Sequence, residues 1–161
     1  MKSSTGTAQR ISRRPALAAA ISIALAVFAP DQAIKWVVES SMRLGESIVL
    51  IPGVLSLTYI HNEGGAFGIL SESPRILMVG SLVAVVVVLW MLLAEAPSRL
   101  TVAACGLILG GAAGNLADRL ATGRVTDYVH FSFWYIFNAA DAAIVLGVAL
   151  LLLSALLSSR G

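Results

Sequence analysis

The sequence contains few charged residues and a single cysteine. Charged side chains make up 12% of the 161 residues, whereas they make up roughly 25% of an ordinary soluble domain. The formal net charge is only +2, and the basic residues are scattered, which argues against a nucleic-acid partner. Cys105 is the only cysteine, so the chain cannot form an intrachain disulfide.

Motifs for metal or nucleotide chemistry are also missing. The two histidines, His61 and His130, are not part of an HExxH motif, and paired cysteines and glycine-rich phosphate loops are absent. We therefore predict no metal site and no cofactor. Cys105 lies within an apolar run, so neither histidine has a thiol partner. A serine–lysine pair that uses Lys35 stays open, although nothing marks a particular serine.

Apolar runs dominate what the sequence does contain. Hydrophobic residues make up 58% of the chain, and the mean hydropathy is +0.87. A transmembrane helix needs about 20 largely apolar residues. Candidate spans lie at residues 16–38, 76–94, 100–117 and 139–157. Lipid cannot satisfy exposed backbone groups, so these spans should be helices. The sequence thus predicts an α-helical integral membrane protein with four transmembrane helices.

Charge distribution predicts how these spans are oriented. Basic residues before the first span place the N-terminus in the cytoplasm, and four spans return the C-terminus to the same side. Pro30 follows the best small-residue cleavage site, so we expect the first span to be a retained anchor. The predicted division is a cytoplasmic extension at 1–15, one membrane domain at 16–157, outer loops at about 39–75 and 118–138, and a cytoplasmic tail at 158–161.

The first outer loop contains two short β-branched runs. Ser47–Ile51 and Leu55–Ile60 flank the turn residues Pro52 and Gly53, a pattern typical of a hairpin. We therefore predict a small extracytoplasmic β-type subdomain. The second outer loop is rich in aromatic residues between 131 and 135, which are expected at the level of the lipid headgroups.

Polar residues gather at the outer ends of the predicted spans. Asp31 and Lys35 have the four-residue spacing of a helical ion pair. Asn115 has the spacing to reach Asp118 and Arg119, so a polar clasp is one interpretation there. Gly106, Gly110 and Gly114 repeat every four residues, and such a ridge allows close helix packing in lipid. We expect this packing to bring the end of the third span beside the start of the fourth.

Asp127 and Asp141 are the candidate catalytic pair. A charged group at membrane depth costs about 2.5–3.5 kcal/mol on insertion scales, so it indicates a functional site. Two neighbouring carboxylates can share one proton and act as acid and base. Simpler interpretations stay open, because Asn138 and Asp141 also fit a helix N-terminal cap, and Asp127 fits a turn.

The motifs, in their order along the chain, resemble those of bacterial lipoprotein signal peptidase, also called signal peptidase II. They are Asp31-Gln32-Ala33-Ile34-Lys35, Asn62-Glu63-Gly64-Gly65-Ala66-Phe67, Gly110-Gly111-Ala112-Ala113-Gly114-Asn115-Leu116-Ala117-Asp118-Arg119, Val125-Thr126-Asp127-Tyr128 and Phe137-Asn138-Ala139-Ala140-Asp141. The resemblance covers residues from about 16 to 157. Gly65 departs from the alanine or serine that is common at its position.

The resemblance implies an aspartyl peptidase of the bacterial inner membrane, with its active site near the outer face. Its substrates would be diacylglyceryl-modified prolipoproteins, cut before the lipidated cysteine, and globomycin-type peptides would inhibit it. By motif position Asp127 and Asp141 correspond to the catalytic pair. The site-lining or supporting residues are Asn62, Gly64, Asn115, Arg119 and Asn138, and the structural polar residues are Asp31, Lys35 and Asp118. Membrane lipid is the other expected partner, and a monomer is expected.

Composition alone leaves two other classes open. A small transporter or channel would use aspartate and arginine as an ion relay, but it should distribute polar residues through the membrane depth. Here they gather at one end, and Ser81 and Ser154 are the main polar side chains deep in spans two and four. A purely structural assembly protein would lose only stability when either aspartate becomes asparagine.

Overall fold

The computed structural model describes residues 12–63, 74–94 and 97–159. In these ranges the chain forms four helices and one four-stranded sheet. The elements are α1 (Arg13–Ser41), β1 (Ser47–Ile51), β2 (Leu55–Asn62), α2 (Pro74–Ala94), α3 (Arg99–Thr122), β3 (Val125–Phe131), β4 (Ile136–Phe137) and α4 (Ala139–Ser158). Helices α1, α3 and α4 are long and apolar enough to cross a membrane, and α2 contributes the shorter apolar stretch Met78–Leu93. The predicted fold class is confirmed.

Helix α3 is the central helix of the bundle. Its apolar window is 61% buried, against 11% for α1 and 17% for α4. A Cβ on Gly110 would lie 2.6 Å from the backbone oxygen of Ala24 in α1, and one on Gly111 would overlap the backbone oxygen of Ala140 in α4. The predicted glycine ridge therefore packs against α1. The close approach to α4 uses Gly111, one residue round the helix.

The sheet is larger than the predicted hairpin. All four strands are antiparallel, in the order β1-β2-β3-β4. The hairpin of β1 and β2 is present as predicted, but segment 118–138 contains β3 and β4 rather than only a loop. The β-branched and aromatic residues of Val125–Phe131 suit a strand, and they pair with β2 from Leu55↔Phe131 to Asn62↔Val125.

A small apolar cluster attaches the sheet to the bundle. Val38 and Met42, near the end of α1, pack with Tyr59 of β2 and Tyr128 of β3. The Tyr128 hydroxyl also accepts a hydrogen bond from the backbone N–H of Ala139, in the first turn of α4. Strand β3 is therefore fixed between the end of α1 and the start of α4.

Candidate active site

The two predicted aspartates lie where the sheet meets the helices. Asp127 is in β3, paired with Ile60 of β2, and its side chain is fully buried. Asp141 is in the first turn of α4. The interpretation of Asp127 as a turn residue is wrong, because the residue lies inside a hydrogen-bonded strand.

Asn138 contacts both aspartates. Its side-chain Nδ2 donates to Oδ1 of Asp127 at 2.7 Å, and its backbone N–H donates to Oδ2 of Asp141 at 3.4 Å. Its Oδ1 accepts from the backbone N–H of Asp141 at 2.9 Å, which completes a capping box. The capping interpretation is therefore correct, and the same cap connects the two carboxyl groups.

Two further asparagines bind the two carboxyl oxygens that Asn138 does not contact. Asn62 Nδ2 donates to Oδ2 of Asp127 at 2.8 Å, and Asn115 Nδ2 donates to Oδ1 of Asp141 at 2.7 Å. Each of the four carboxyl oxygens thus accepts one hydrogen bond. The donors are neutral amides or backbone, so they orient the carboxyl groups without cancelling their charge.

Burial gives Asp127 an unusual proton affinity. Desolvation, followed by the charge of Asp141, raises the pKa of Asp127 to about 7, and the hydrogen bonds from Asn62 and Asn138 oppose this shift only in part. A carboxyl group with this pKa carries a proton in about half of the molecules at neutral pH. A raised pKa is what allows a carboxyl group to donate a proton at neutral pH.

A buried ionic network supports the pair from α1. Lys35 Nζ lies 2.8 Å from Oδ2 of Asp31 and 2.8 Å from Oδ2 of Asp118, and it donates to Oδ1 of Asn115 at 3.1 Å. The predicted Asp31–Lys35 pair is present, and Asp31 also accepts from the backbone N–H of Ala140 at 2.9 Å. This last bond satisfies an N–H at the start of α4.

Asn115 does not form a clasp with Asp118 and Arg119, the interpretation that its spacing left open. The side chain of Asn115 points into the bundle, towards Lys35, Asn138 and Asp141.

Arg119 lies near the pair. Its Nη1 donates to Oγ of Ser81 at 3.5 Å, and the charges of Asp127 and Asp141 act on its guanidinium group. Arg119 is thus beside the site without a hydrogen bond to either aspartate. Gly64, and the neighbouring Gly65, lie outside the described residues.

Three residues that the sequence did not mark as site residues also contact this region. Gln32 donates to Oδ1 of Asp118 at 2.9 Å, and Thr126, which is 3% exposed, donates its hydroxyl hydrogen to Glu39. Glu39 follows Lys35 by four residues, which places it on the same side of α1, but this spacing alone does not indicate a contact with β3. In the described ranges, no group of three or more histidine, cysteine, aspartate or glutamate side chains is arranged to hold a metal ion.

Comparison with known proteins agrees with the motif resemblance. The family model for signal peptidase II matches residues 23–157. Lipoprotein signal peptidase of Symbiobacterium thermophilum is 42% identical over 148 residues, which is 87% of this chain and 97% of that protein. The one from Halothermothrix orenii is 40% identical over 131 residues, 81% of this chain and 90% of that protein.

Solved structures agree as well. A bacterial membrane enzyme solved in meso at 2.3 Å superposes with a TM-score of 0.81 at 30% identity, covering 90% of this chain and 91% of that one. A second, solved at 1.9 Å, gives a TM-score of 0.78 at 29% identity, covering 93% and 97%. The chain therefore belongs to the signal peptidase II family, the membrane proteases that remove signal peptides from prolipoproteins.

Proposed function

We propose that this protein is an aspartic endopeptidase that cuts diacylglyceryl-modified prolipoproteins immediately before the lipidated cysteine. The observation that carries the proposal is the pair of carboxyl groups formed by the buried Asp127 and the half-buried Asp141, connected through Asn138 at the start of a membrane helix. Neutral amide donors hold both carboxyl groups, so their orientation is fixed while their charge is not cancelled.

The chemistry needs only water and these two groups. The ionised aspartate takes a proton from a water molecule, which attacks the scissile carbonyl, while the protonated aspartate donates its proton to the carbonyl oxygen. Collapse of the tetrahedral intermediate breaks the C–N bond. The leaving amine takes a proton from the pair, and a hydroxyl group of the intermediate returns a proton to the pair as the new carboxyl group forms. No acyl-enzyme forms. Either aspartate can start as the base, because a coupled pair titrates as one unit.

The position of the pair fits a substrate that arrives within the membrane. Asp141 begins an apolar helix, and Asp127 is in the sheet above it, so the scissile bond would lie at the membrane edge. The acyl chains of the substrate would lie among the helices and its peptide near Asn62. In this arrangement both termini are cytoplasmic, the site is near the outer face of the bacterial inner membrane, and the monomer is the working unit.

The serine–lysine alternative loses support from the surroundings of Lys35. The ammonium group has three N–H donors, and it contacts two carboxylates and one amide oxygen. A general-base lysine must contact the serine that it activates, whereas these three partners of Lys35 are carboxylate and amide oxygens. The transporter alternative gains no support. Ser154 hydrogen-bonds with Ser98 and Thr101 at the start of α3, so it does not extend the polar cluster around the aspartates.

Cleavage by purified protein in detergent tests the proposal. Wild type should cut a diacylglyceryl-modified precursor and leave the unmodified precursor intact, and a globomycin-type cyclic peptide should inhibit it. Asp127→Asn and Asp141→Asn should be folded and inactive. Glu46→Gln is the matched control, because Glu46 is an exposed carboxylate that binds the backbone N–H of Arg43. Near-normal cleavage by either aspartate variant would refute the assignment of the pair.

A further inference from the structure

Helix α1 contacts the site although it contains neither aspartate of the pair. Asp31, Lys35 and Glu39 follow one another at intervals of four residues, so they lie along one side of the helix. Asp31 binds the first turn of α4 through Ala140 N, and Lys35 binds α3 through Asn115. Glu39 binds β3 through the hydroxyl group of Thr126. Each of the three charged residues thus contacts a different element of the site.

Thr126 is fixed on several sides. Its hydroxyl group donates to Oε1 of Glu39, its backbone N–H donates to Oδ2 of Asp118 at 3.4 Å, and its carbonyl oxygen accepts from Asn138 at 3.3 Å. The side chain is 3% exposed, whereas Glu39 itself is exposed. A hydrogen bond from a buried hydroxyl group to a carboxylate is of the stronger, charge-assisted kind.

The bond to Glu39 acts on the residue next to Asp127. Successive side chains of a strand point to opposite faces, so Thr126 faces α1 while Asp127 faces Asn138 and Asn62. Glu39 therefore contacts β3 on the face opposite to that of Asp127. The charges of Glu39 and Arg124 both act on Tyr59 and His61, and Glu63 also acts on His61.

We propose that Glu39 is a positioning residue that, through Thr126, sets the distance between the carboxyl groups of Asp127 and Asp141. The inference rests on the proposed function, because only an acid–base pair needs that distance to be fixed. A misplacement of about 1 Å in a catalytic arrangement can cost as much as 100-fold in rate.

The test compares variants that keep the hydrogen bond with variants that remove it. Glu39→Gln and Thr126→Ser keep the acceptor and the donor, and they should retain kcat within about threefold. Glu39→Leu and Thr126→Val remove the bond at similar size, and kcat should fall at least about tenfold with little change in KM. The double variant should lose no more than either single variant, because both remove the same interaction. Ser40→Ala, an exposed change on the same helix, is the control.

The pH profile of cleavage separates positioning from a general loss of structure. The groups that act on Asp127 include Asp141 and Lys35, in addition to the amides of Asn62 and Asn138. Greater separation weakens the effect of Asp141 on the pKa of Asp127. The alkaline limb of the profile should therefore move to lower pH in Glu39→Leu and Thr126→Val, and it should stay in place in Glu39→Gln.

The outcomes are distinguishable. Normal kcat in Glu39→Leu, or a lower kcat without a shift of the alkaline limb, would overturn the inference while wild-type cleavage still supported the proposed function. Because Glu39 is exposed, its replacement by leucine leaves no buried cavity, so this variant decides the matter even if Thr126→Val does not fold. Failure of wild type to cleave any lipidated precursor would overturn the proposed function and this inference together.

Discussion

Asn138 shows how one residue can serve the fold and the site together. As the N-cap of α4 it satisfies backbone groups of the first helical turn, and with its side-chain amide it holds Asp127. An N-cap contributes about 1 kcal/mol to stability. The capping contribution and the orienting contribution can be separated, because only the second needs an amide N–H donor.

Asn138→Ser is therefore expected to fold and to lose activity. Serine caps helices as well as asparagine does, but it lacks the amide group that reaches Asp127 and Thr126. We predict a small change in Tm and a fall in kcat of about 100-fold, the size typical of losing one preorganised donor. Thermal unfolding in detergent and the cleavage assay measure the two effects. Wild-type activity in Asn138→Ser would show that the amide has no orienting role.

The raised pKa of Asp127 predicts a pH-dependent stability. Its folded-state pKa is about 7, against an ordinary value of 3.8. Between these values the folded state binds a proton that the unfolded state lacks, so this group's contribution to stability falls as pH rises from about 4 to about 7. Asp127→Asn removes this dependence. Its Tm relative to wild type should be several degrees higher at pH 7.5 than at pH 4.5. An equal difference at both pH values would contradict the raised pKa.

At the scale of single elements, the spacing of helices α3 and α4 depends on Gly111. A Cβ at Gly111 would overlap the backbone of Ala140, the residue before Asp141. Backbone cannot move aside as a flexible side chain can, so the start of α4 must shift. The pair of aspartates is therefore sensitive to a single methyl group on a neighbouring helix.

Gly111→Ala should lower both Tm and kcat, the latter by at least about tenfold. Gly80→Ala is the matched control, because it is also in a helix and a Cβ there meets no atom of the described residues within 4 Å. That control should gain up to about 1 kcal/mol from helix propensity and keep full activity. Unchanged activity in Gly111→Ala would show that the packing of α3 on α4 tolerates displacement without affecting the site.

The ionic network around Lys35 links α1 to α3. Replacing Lys35 by methionine would leave Asp31 and Asp118 close together without their cation, and an uncompensated buried charge costs about 3–5 kcal/mol. We expect Lys35→Met to unfold at a much lower temperature than wild type. The double variant Asp31→Asn with Lys35→Met should recover part of the loss. Thermal unfolding is the measurement, and a wild-type Tm for Lys35→Met would contradict a stabilising network.

At the scale of the whole molecule, the sequence was most informative about the helices and the motif residues. Apolar length alone located the helices, because lipid leaves the backbone few alternatives. The motifs of Asp127, Asp141 and Asn138 located residues that lie together in the structure. The sequence was less informative about β3 and β4. Strand β3 pairs with the distant β2, and β4 is a two-residue strand that pairs with β3, so local propensity does not indicate either contact.

Directions of side chains were also beyond the sequence. Asn115 has the spacing to reach Asp118, but helix packing turns it towards Asp141 instead. Glu39 is an exposed charge at the end of an apolar helix, so its sequence context indicates a solvated residue. Only the position of β3 shows that its carboxylate meets Thr126. Both contacts depend on how the sheet is placed on the bundle.

The proposed mechanism requires that Asp127 and Asp141 together hydrolyse the peptide bond before a lipidated cysteine. Mass spectrometry of the products from one diacylglyceryl-modified precursor, incubated with wild type, Asp127→Asn or Asp141→Asn, tests it most directly. Wild type should yield a product that begins at the lipidated cysteine, and neither folded variant should yield it. A cut at another bond, or the same product from either variant, would contradict it.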